Sequence, residues 1–69
     1  MNNKIENIKN TYTVGTRVEL VSMDDAQAPP SGTQGTISFV DDIGNIHVNW
    51  DNGSSLALNI DCDFFMVLE

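Results

Sequence analysis

The chain has 69 residues, which is enough for one small domain with a thin core. Three lysines and arginines stand against ten aspartates and glutamates, so the formal net charge at pH 7 is -7. This charge excludes proteins that bind nucleic acid through a cationic patch and argues against docking on an anionic membrane. We therefore expect no direct contact with nucleic acid and none with membranes.

The first eleven residues, 1–11, are predicted to form an N-terminal tail or a short helical turn. Ile5 and Ile8 are three residues apart, which places them on one side of such a turn. A helix this short is marginal in water by itself. Two interpretations stay open: the segment is a frayed tail, or Ile5 and Ile8 dock on the body or on a second subunit.

Residues 12–69 are predicted to form the folded domain, and its class is predicted to be all-β. Short runs rich in Val, Ile, Phe and Trp alternate with Gly, Asn, Asp, Ser and Pro, as is typical of strands and turns. The predicted strands cover residues 14–21, 35–40, 45–50, 55–60 and 64–68. Five strands this short suit a small, strongly bent barrel, which limits open sheet edges.

Alternation along these strands predicts which side chains point inward. The predicted inward residues are Val18, Leu20, Ile37, Phe39, Ile46, Val48, Trp50, Leu56 and Leu58.

Two connections between the strands are predicted to be tight turns. Asn52 and Gly53 both tolerate positive φ, and so do Gly44 and Asn45. The first connection, residues 22–33, is long for a hairpin in so small a domain, and long loops without secondary structure are often functional.

The order of these segments resembles that of SH3-like small barrels. The residues that carry the resemblance are VGTRVELV, a proline-containing loop, SGTQGTI, IHVNWDNGSS and a final FFMVL. They are similar to the mind-bomb/HERC-type domain, and they resemble more closely a family of uncharacterised small domains found in phages and mobile elements of Firmicutes. The resemblance implies a five-stranded SH3-like barrel and no particular activity. Mind-bomb-type barrels bind peptides of partner proteins, and this chain is shorter and more acidic.

Catalysis has little support in the residues. His47 and Cys62 are the only histidine and the only cysteine. His47 is predicted to face outward, and the carboxylates that flank Cys62 disfavour a thiolate nucleophile. We expect no enzymatic activity and no catalytic residue. A single cysteine and the absence of a signal-peptide pattern in the first residues favour a cytoplasmic location.

Metal binding is equally weak as a hypothesis. Asp24-Asp25 and Asp41-Asp42 are carboxylate doublets, but their spacing does not match a calcium-binding loop. Solvated turn acids are the simpler interpretation. We expect no metal and no cofactor.

The long first loop offers one candidate binding groove. In SH3-like barrels such a groove often lies between this loop and a hairpin tip. Here it would combine Met23, Asp24, Asp25 and Pro29 with Trp50. Trp50 itself is open to two interpretations, because its strand parity places it in the core while its position at a strand end suits a groove wall.

The last predicted strand offers a second candidate surface, because all of residues 64–68 are apolar. One set of side chains can enter the core, and the other set needs a cover. The inward set is predicted to be Phe65 and Val67, and the outward set Phe64, Met66 and Leu68. We predict that the outward set, Phe64 and Met66 above all, contacts the tail, a partner or a second copy in a homo-oligomer.

The residues favour a non-enzymatic, acidic binding module, and the resemblance implies that it belongs to a phage or mobile element and is located in the cytoplasm of the host bacterial cell. We expect its partner to be a basic protein surface, for example on a host defence nucleoprotein that the module inhibits. One alternative is an oligomer that sequesters a nucleotide signal, with Arg17 and the backbone N–H groups of residues 32–35 as anion donors. Another is a structural phage component that self-assembles.

Overall fold

A computed structural model describes residues 3–68, which form one short helix and four strands. Their bounds are α1 (Asn3–Thr11), β1 (Arg17–Ser22), β2 (Gln34–Val40), β3 (Ile46–Trp50) and β4 (Phe64–Val67). The strands form one antiparallel sheet in the order β3-β2-β1-β4. The β-rich character predicted for residues 12–69 is therefore confirmed, and β3 and β4 are the two edges of the sheet.

The predicted strand over residues 55–60 is not a strand in the structure. It makes a single antiparallel bridge, in which Ile46 and Leu58 exchange backbone N–H···O bonds of 2.9 and 2.7 Å. The bridge does not extend into a strand because the backbone carbonyls on either side of Leu58 accept hydrogen bonds from other groups. The Leu56 carbonyl accepts the Trp50 indole N–H at 2.9 Å, and the Asn59 carbonyl accepts N–H groups from the turn that follows.

The core lies on one face of the sheet and holds most of the side chains predicted to point inward. The buried apolar residues are Ile8, Val18, Leu20, Ile37, Ile46, Val48, Trp50 and Leu58. Leu56 is only half-buried. We call the opposite side of the sheet the outer face.

Phe39 is a correction to the predicted core, because its side chain is 49% exposed on the outer face. The register between β2 and β3 shifts between Ile37 and Phe39, so that Ile37 pairs with Val48 and Phe39 pairs with His47. The extra residue, Ser38, reverses the alternation beyond it. The Phe39 ring therefore stacks on the His47 ring, with centroids 4.1 Å apart.

The N-terminal segment is a helix that docks on the body. Ile8 is 6% exposed and belongs to the core. Gly44 is buried beside Ile5 and Ile8, in the turn before β3. Two ion pairs flank the contact, Lys4–Asp61 at 2.8 Å and Lys9–Asp42 at 2.9 Å. The helix does not contact β4, so it does not cover the last strand.

The prediction of positive φ in the two tight turns is correct for the glycines and wrong for the asparagines. Gly44 and Gly53 have φ of +89° and +93°, whereas Asn45 and Asn52 do not have positive φ. The Gly53 N–H donates to the Trp50 carbonyl at 3.0 Å, and the Trp50 N–H donates to the Ser54 carbonyl at 3.0 Å. This pattern belongs to a hairpin in which one glycine takes the left-handed position after an ordinary turn.

The long loop over residues 22–33 is tied to the body by Asp63, which is 8% exposed. Its carboxylate accepts the Asp24 N–H at 2.9 Å and the Asn59 N–H at 2.8 Å. A buried carboxylate needs such partners, because a charge without hydrogen bonds is costly to bury. Asp63 therefore fixes the loop next to the turn that precedes β4. No helix in residues 3–68 has the length and apolar character needed to cross a lipid bilayer.

Candidate functional site

The structure places the residues of the predicted loop groove in different environments. Trp50 is 3% exposed, which confirms the core interpretation for this residue. Pro29 is buried, and Met23 is half-buried against the core. Asp24 and Asp25 are exposed. These residues do not come together around an open cleft, because the tryptophan and the proline face inward.

The last strand, in contrast, presents apolar side chains to solvent as predicted. Phe64 is 65% exposed and Met66 is 49% exposed. Val21, which follows Leu20 at a register shift in β1, is 43% exposed and lies on the neighbouring strand. We call Val21, Phe64 and Met66 the β4 patch. Val21 was not among the predicted site residues, since only the pairing of β1 with β4 brings it there.

Two other residues of the last segment differ from the prediction. Val67 was expected inward and is 48% exposed, and Leu68 was expected outward and is half-buried. Val67 pairs with Val18 on the core side, but within residues 3–68 no strand lies beyond β4 to cover it. Phe65 is half-buried as expected, and the edge-to-face contact with Tyr12, at 5.3 Å between centroids, covers it.

Every lysine and arginine of the chain is engaged by an acid of the same chain. Arg17 binds Asp51 with both guanidinium nitrogens, at 2.9 and 2.7 Å, and also donates to Thr36 and Gln34. The Arg17 hydrogen bond lowers the pKa of Asp51, and the same contact raises the pKa of Arg17. The lysines form the two helix ion pairs, Lys4–Asp61 and Lys9–Asp42.

The negative charge of the protein therefore resides on the other acids. The described acids without a lysine or arginine partner are Glu6, Glu19, Asp24, Asp25, Asp41 and Asp63. Glu19 lies directly opposite Met66 in the sheet. Asp24 and Asp25 follow the end of β1, which lies opposite Phe64. The β4 patch thus has an acidic border.

His47 and Asp41 form a polar pair, with 2.9 Å between Nε2 and Oδ2. The carboxylate can only accept, so Nε2 carries the proton in this contact. The His47 hydrogen bond, helped by the N–H groups of Asn45 and Ile43, lowers the pKa of Asp41. His47 contacts Asp41 and Phe39 rather than Cys62, which lies exposed in the turn before β4. Among residues 3–68 no cluster of three or more acids, histidines or cysteines is placed to hold a metal ion.

The comparison with known proteins assigns the family. A family model described as a domain of unknown function (DUF4314) matches residues 1–68. The chain belongs to the DUF4314 family. The match spans the helix as well as the sheet, so the segment over residues 1–11 lies inside the family domain. Searches of curated proteins and of solved structures found no match.

Three of the anion donors considered for a nucleotide ligand are already used inside this DUF4314 domain. The Gly32 N–H donates to the Leu20 carbonyl at 2.7 Å, and the Thr33 N–H donates to the Pro30 carbonyl at 3.1 Å. Arg17 is bound to Asp51. A phosphate at this place would have to break these contacts, whereas the β4 patch is exposed without any rearrangement.

Sequence reasoning also missed a groove of about 460 Å³ in the DUF4314 domain. It is lined by four helix residues, by Tyr12 just after the helix and by two residues before β4: Lys4, Asn7, Ile8, Thr11, Tyr12, Ile60 and Asp61. The groove exists only because the helix docks on the body. The spacing of Ile5 and Ile8 was its only signal in the sequence.

Proposed function

We propose that the protein is a non-enzymatic binding module whose β4 patch docks on a basic surface of a partner protein. One observation carries the proposal: Phe64 and Met66 are exposed on the open edge strand and Val21 is exposed on the strand beside it, and the acids near them have no lysine or arginine partner in the chain. Apolar groups of this kind are typical of interaction sites when they are contiguous and rimmed by polar residues.

The patch is the apolar part of the proposed interface. Phe64 and Met66 are large side chains with about half or more of their surface in water. Covering each of the three apolar side chains contributes roughly 1 kcal/mol or more, before the costs of association. Aromatic residues and methionine are also enriched at the centres of protein interfaces. The patch therefore contributes affinity for a partner, whereas the selectivity for one partner over another comes from the charges around the patch.

The acidic border supplies the selectivity for a basic partner. Glu19 lies opposite Met66, Asp24 and Asp25 follow the end of β1, and the chain as a whole carries a net charge of -7. Such a field accelerates encounters with a basic surface and disfavours acidic ones. A second copy of the chain is the alternative occupant, but every copy brings the same acids to the contact.

The biological setting that we propose follows from the resemblance to small domains of phages and mobile elements. In that setting the protein acts in the cytoplasm of the host bacterium and inhibits a host protein, for example a defence nucleoprotein whose basic surface it covers. The proposed fold is related to the SH3-like barrel, with residues 54–58 in place of the fourth strand of that barrel. The order of the strands and the bridge between Ile46 and Leu58 support this relation.

The test compares two double substitutions, each of which replaces two exposed apolar side chains by serine, one in the β4 patch and the other elsewhere on the surface. Phe64→Ser with Met66→Ser removes the β4 patch, and Val14→Ser with Ile43→Ser removes two side chains that are 72% and 77% exposed elsewhere. Tagged wild-type protein and both variants are incubated with bacterial lysate, and the bound proteins are compared by mass spectrometry. We expect a basic protein bound by the wild type and by the Val14/Ile43 control, and lost from the Phe64/Met66 variant.

Two results would count against the proposal. In the first, no protein is enriched by the wild type over an untagged control. In the second, the Phe64/Met66 variant retains its partner while circular dichroism shows the native fold. Light scattering on the same three proteins measures self-association. A dimer that only the Phe64/Met66 variant loses would make a second copy the occupant of the patch.

A further inference from the structure

We infer that the open edge of β4 takes up an extended, basic segment of the partner, which joins the sheet as an additional strand. The inference rests on the proposed function and specifies the conformation of the bound segment.

The edge of β4 is unpaired within residues 3–68. The strand order places β4 at the end of the sheet, and β1 is the only helix or strand that it contacts. The opposite edge is different, because β3 is covered at Ile46 by the bridge to Leu58. A segment that adds a strand by backbone pairing therefore has its best opportunity at β4.

The backbone groups that face this edge follow from the register. Leu68 donates its N–H to the Arg17 carbonyl at 2.8 Å. Going forward along β1 from Arg17, the paired residues are Val18 with Val67, Glu19 with Met66 and Leu20 with Phe65. In an antiparallel pair, successive residues turn their N–H and C=O groups alternately toward and away from the partner strand. The N–H and C=O groups of Phe65 and Val67 therefore point away from β1 and toward the open edge.

The four side chains of β4 include none of the types that usually protect an exposed edge. Natural edge strands carry lysine, proline or inward-pointing charges, which prevent pairing with another chain. The sequence of β4 is FFMV, with none of these. Three of its four side chains, Phe64, Met66 and Val67, are about half exposed or more. An added strand would cover all three, with alternate side chains of the segment on the two faces of the sheet.

The charge of the protein identifies the segment as basic. Glu19 is in the adjacent strand, and Asp24 and Asp25 lie just beyond its end. On the outer face, lysine or arginine side chains of the segment can lay their aliphatic stems over Phe64 and Met66 and reach these acids, while the apolar side chains that alternate with them cover Val67 on the core side. Pairing β4 with β4 of a second copy would instead bring together two chains of net charge -7.

The test uses two libraries of blocked peptides of about nine residues, a length that spans an ordinary strand. In one library lysine or arginine alternates with Val, Ile, Phe or Thr, and in the other glutamate replaces the basic residue. The best binders are resynthesised with N-methyl groups on every second amide, in each of the two registers. The protein variants are Val67→Pro, which removes an N–H that faces the edge, and Val67→Thr as the control.

We expect the basic library to bind about tenfold or more tightly than the acidic one, a difference of about 1.4 kcal/mol. Val67→Pro should weaken binding about tenfold, and Val67→Thr, which keeps the N–H and a side chain of similar size, should weaken it much less. N-methylation should abolish binding in one register only. If Val67→Pro does not fold, the N-methylated peptides decide the question by themselves. Equal binding of the two libraries, or indifference to N-methylation in both registers, would show that the inference is wrong.

The same variants separate this inference from the proposed function. A cellular partner that is lost with Phe64→Ser and Met66→Ser but retained by Val67→Pro would leave the proposed function standing without strand addition. A partner retained by all β4 variants would overturn both. A gain in solution mass that Val67→Pro abolishes, in the absence of any peptide binding, would show that a second copy takes the edge.

Discussion

Gly35 lies where the sheet is packed most closely. A Cβ atom at this position would stand 2.6 Å from Val48 Cγ1, 2.9 Å from the Asn49 carbonyl oxygen and 2.9 Å from Trp50 Cε3. Two of these neighbours are buried side chains and one is backbone, so none can move away easily. Glycine is needed at position 35 because the packing leaves no space for a Cβ atom, and not because the backbone has a positive φ there.

We expect Gly35→Ala to lower the free energy of unfolding by about 2 kcal/mol or more, since it overpacks a tight core. Urea denaturation followed by Trp50 fluorescence measures the change. Gly53→Ala is the matched control, because nothing lies within 4 Å of its position and only its φ of +93° opposes a side chain. That control should cost about 1 kcal/mol. Equal costs at the two positions would contradict the packing argument.

Asp41 provides a prediction about pH. Its pKa is lowered below the ordinary value of 3.8, chiefly by the hydrogen bond with His47. A carboxyl whose pKa is lowered by folding adds stability above its ordinary pKa, and this stability is lost as the pH falls through the lowered pKa. Wild-type protein should therefore be more stable than Asp41→Asn at pH 7, and the difference should shrink below pH 3.8. Urea denaturation of both proteins across this range tests it. A difference that does not change with pH would show that the ionised carboxylate adds nothing.

The helix is the element whose structure depends most on the rest of the chain. Its nine residues, Asn3–Thr11, are too few for a stable helix in water, and its contacts with the body include Ile8 in the core, Ile5 beside Gly44 and two exposed ion pairs. Exposed ion pairs contribute little, whereas a buried side chain contributes much more. The docking of the helix should therefore depend on Ile8.

We expect Ile8→Ala to destabilise the protein by about 2 kcal/mol and Lys9→Ala by less than about 0.5 kcal/mol. Thermal unfolding by circular dichroism compares the two variants with the wild type. Hydrogen exchange adds a local measure, because amides of α1 should lose protection in Ile8→Ala before those of β2 do. If Lys9→Ala proves the more damaging change, the ion pairs hold the helix and the apolar contact does not.

The charge of the whole molecule governs how it meets a partner. All three lysines and arginines are bound within the chain, whose net charge is -7, so the excess negative charge among residues 3–68 resides on acids with no lysine or arginine partner. Attraction between exposed charges is screened over about 10 Å at 0.1 M salt. Apolar contacts are much less sensitive to salt, so salt separates the two parts of the proposed interface.

Raising the salt from about 0.05 to about 0.5 M should slow association with the partner about tenfold and change dissociation much less. Surface plasmon resonance gives both rates separately. A double variant, Asp24→Asn with Asp25→Asn, should reduce the salt dependence of association without changing the fold. Rates that are independent of salt would point to an interface held by the β4 patch alone.

The sequence by itself determined the β-rich class, most of the core and the exposure of Phe64 and Met66. These features depend on alternation along a strand, which is local and visible in the order of residues. Phe39 shows the limit of this rule, because one extra residue in β2 reverses its side. Leu58 shows another limit, because its run looks like a strand and makes only one bridge.

The tertiary structure alone decided where the helix docks, that Val21 joins Phe64 and Met66, and that β4 forms an open edge. Each of these features depends on contacts between residues far apart in the chain. Lys4 forms an ion pair with Asp61, and Val21 lies beside β4. In both cases the two segments are far apart in the sequence, so no local pattern of residues predicts the contact. Local sequence sets which side of a strand faces the core, but the pairing energies of distant segments decide which strands become neighbours and which edge remains free.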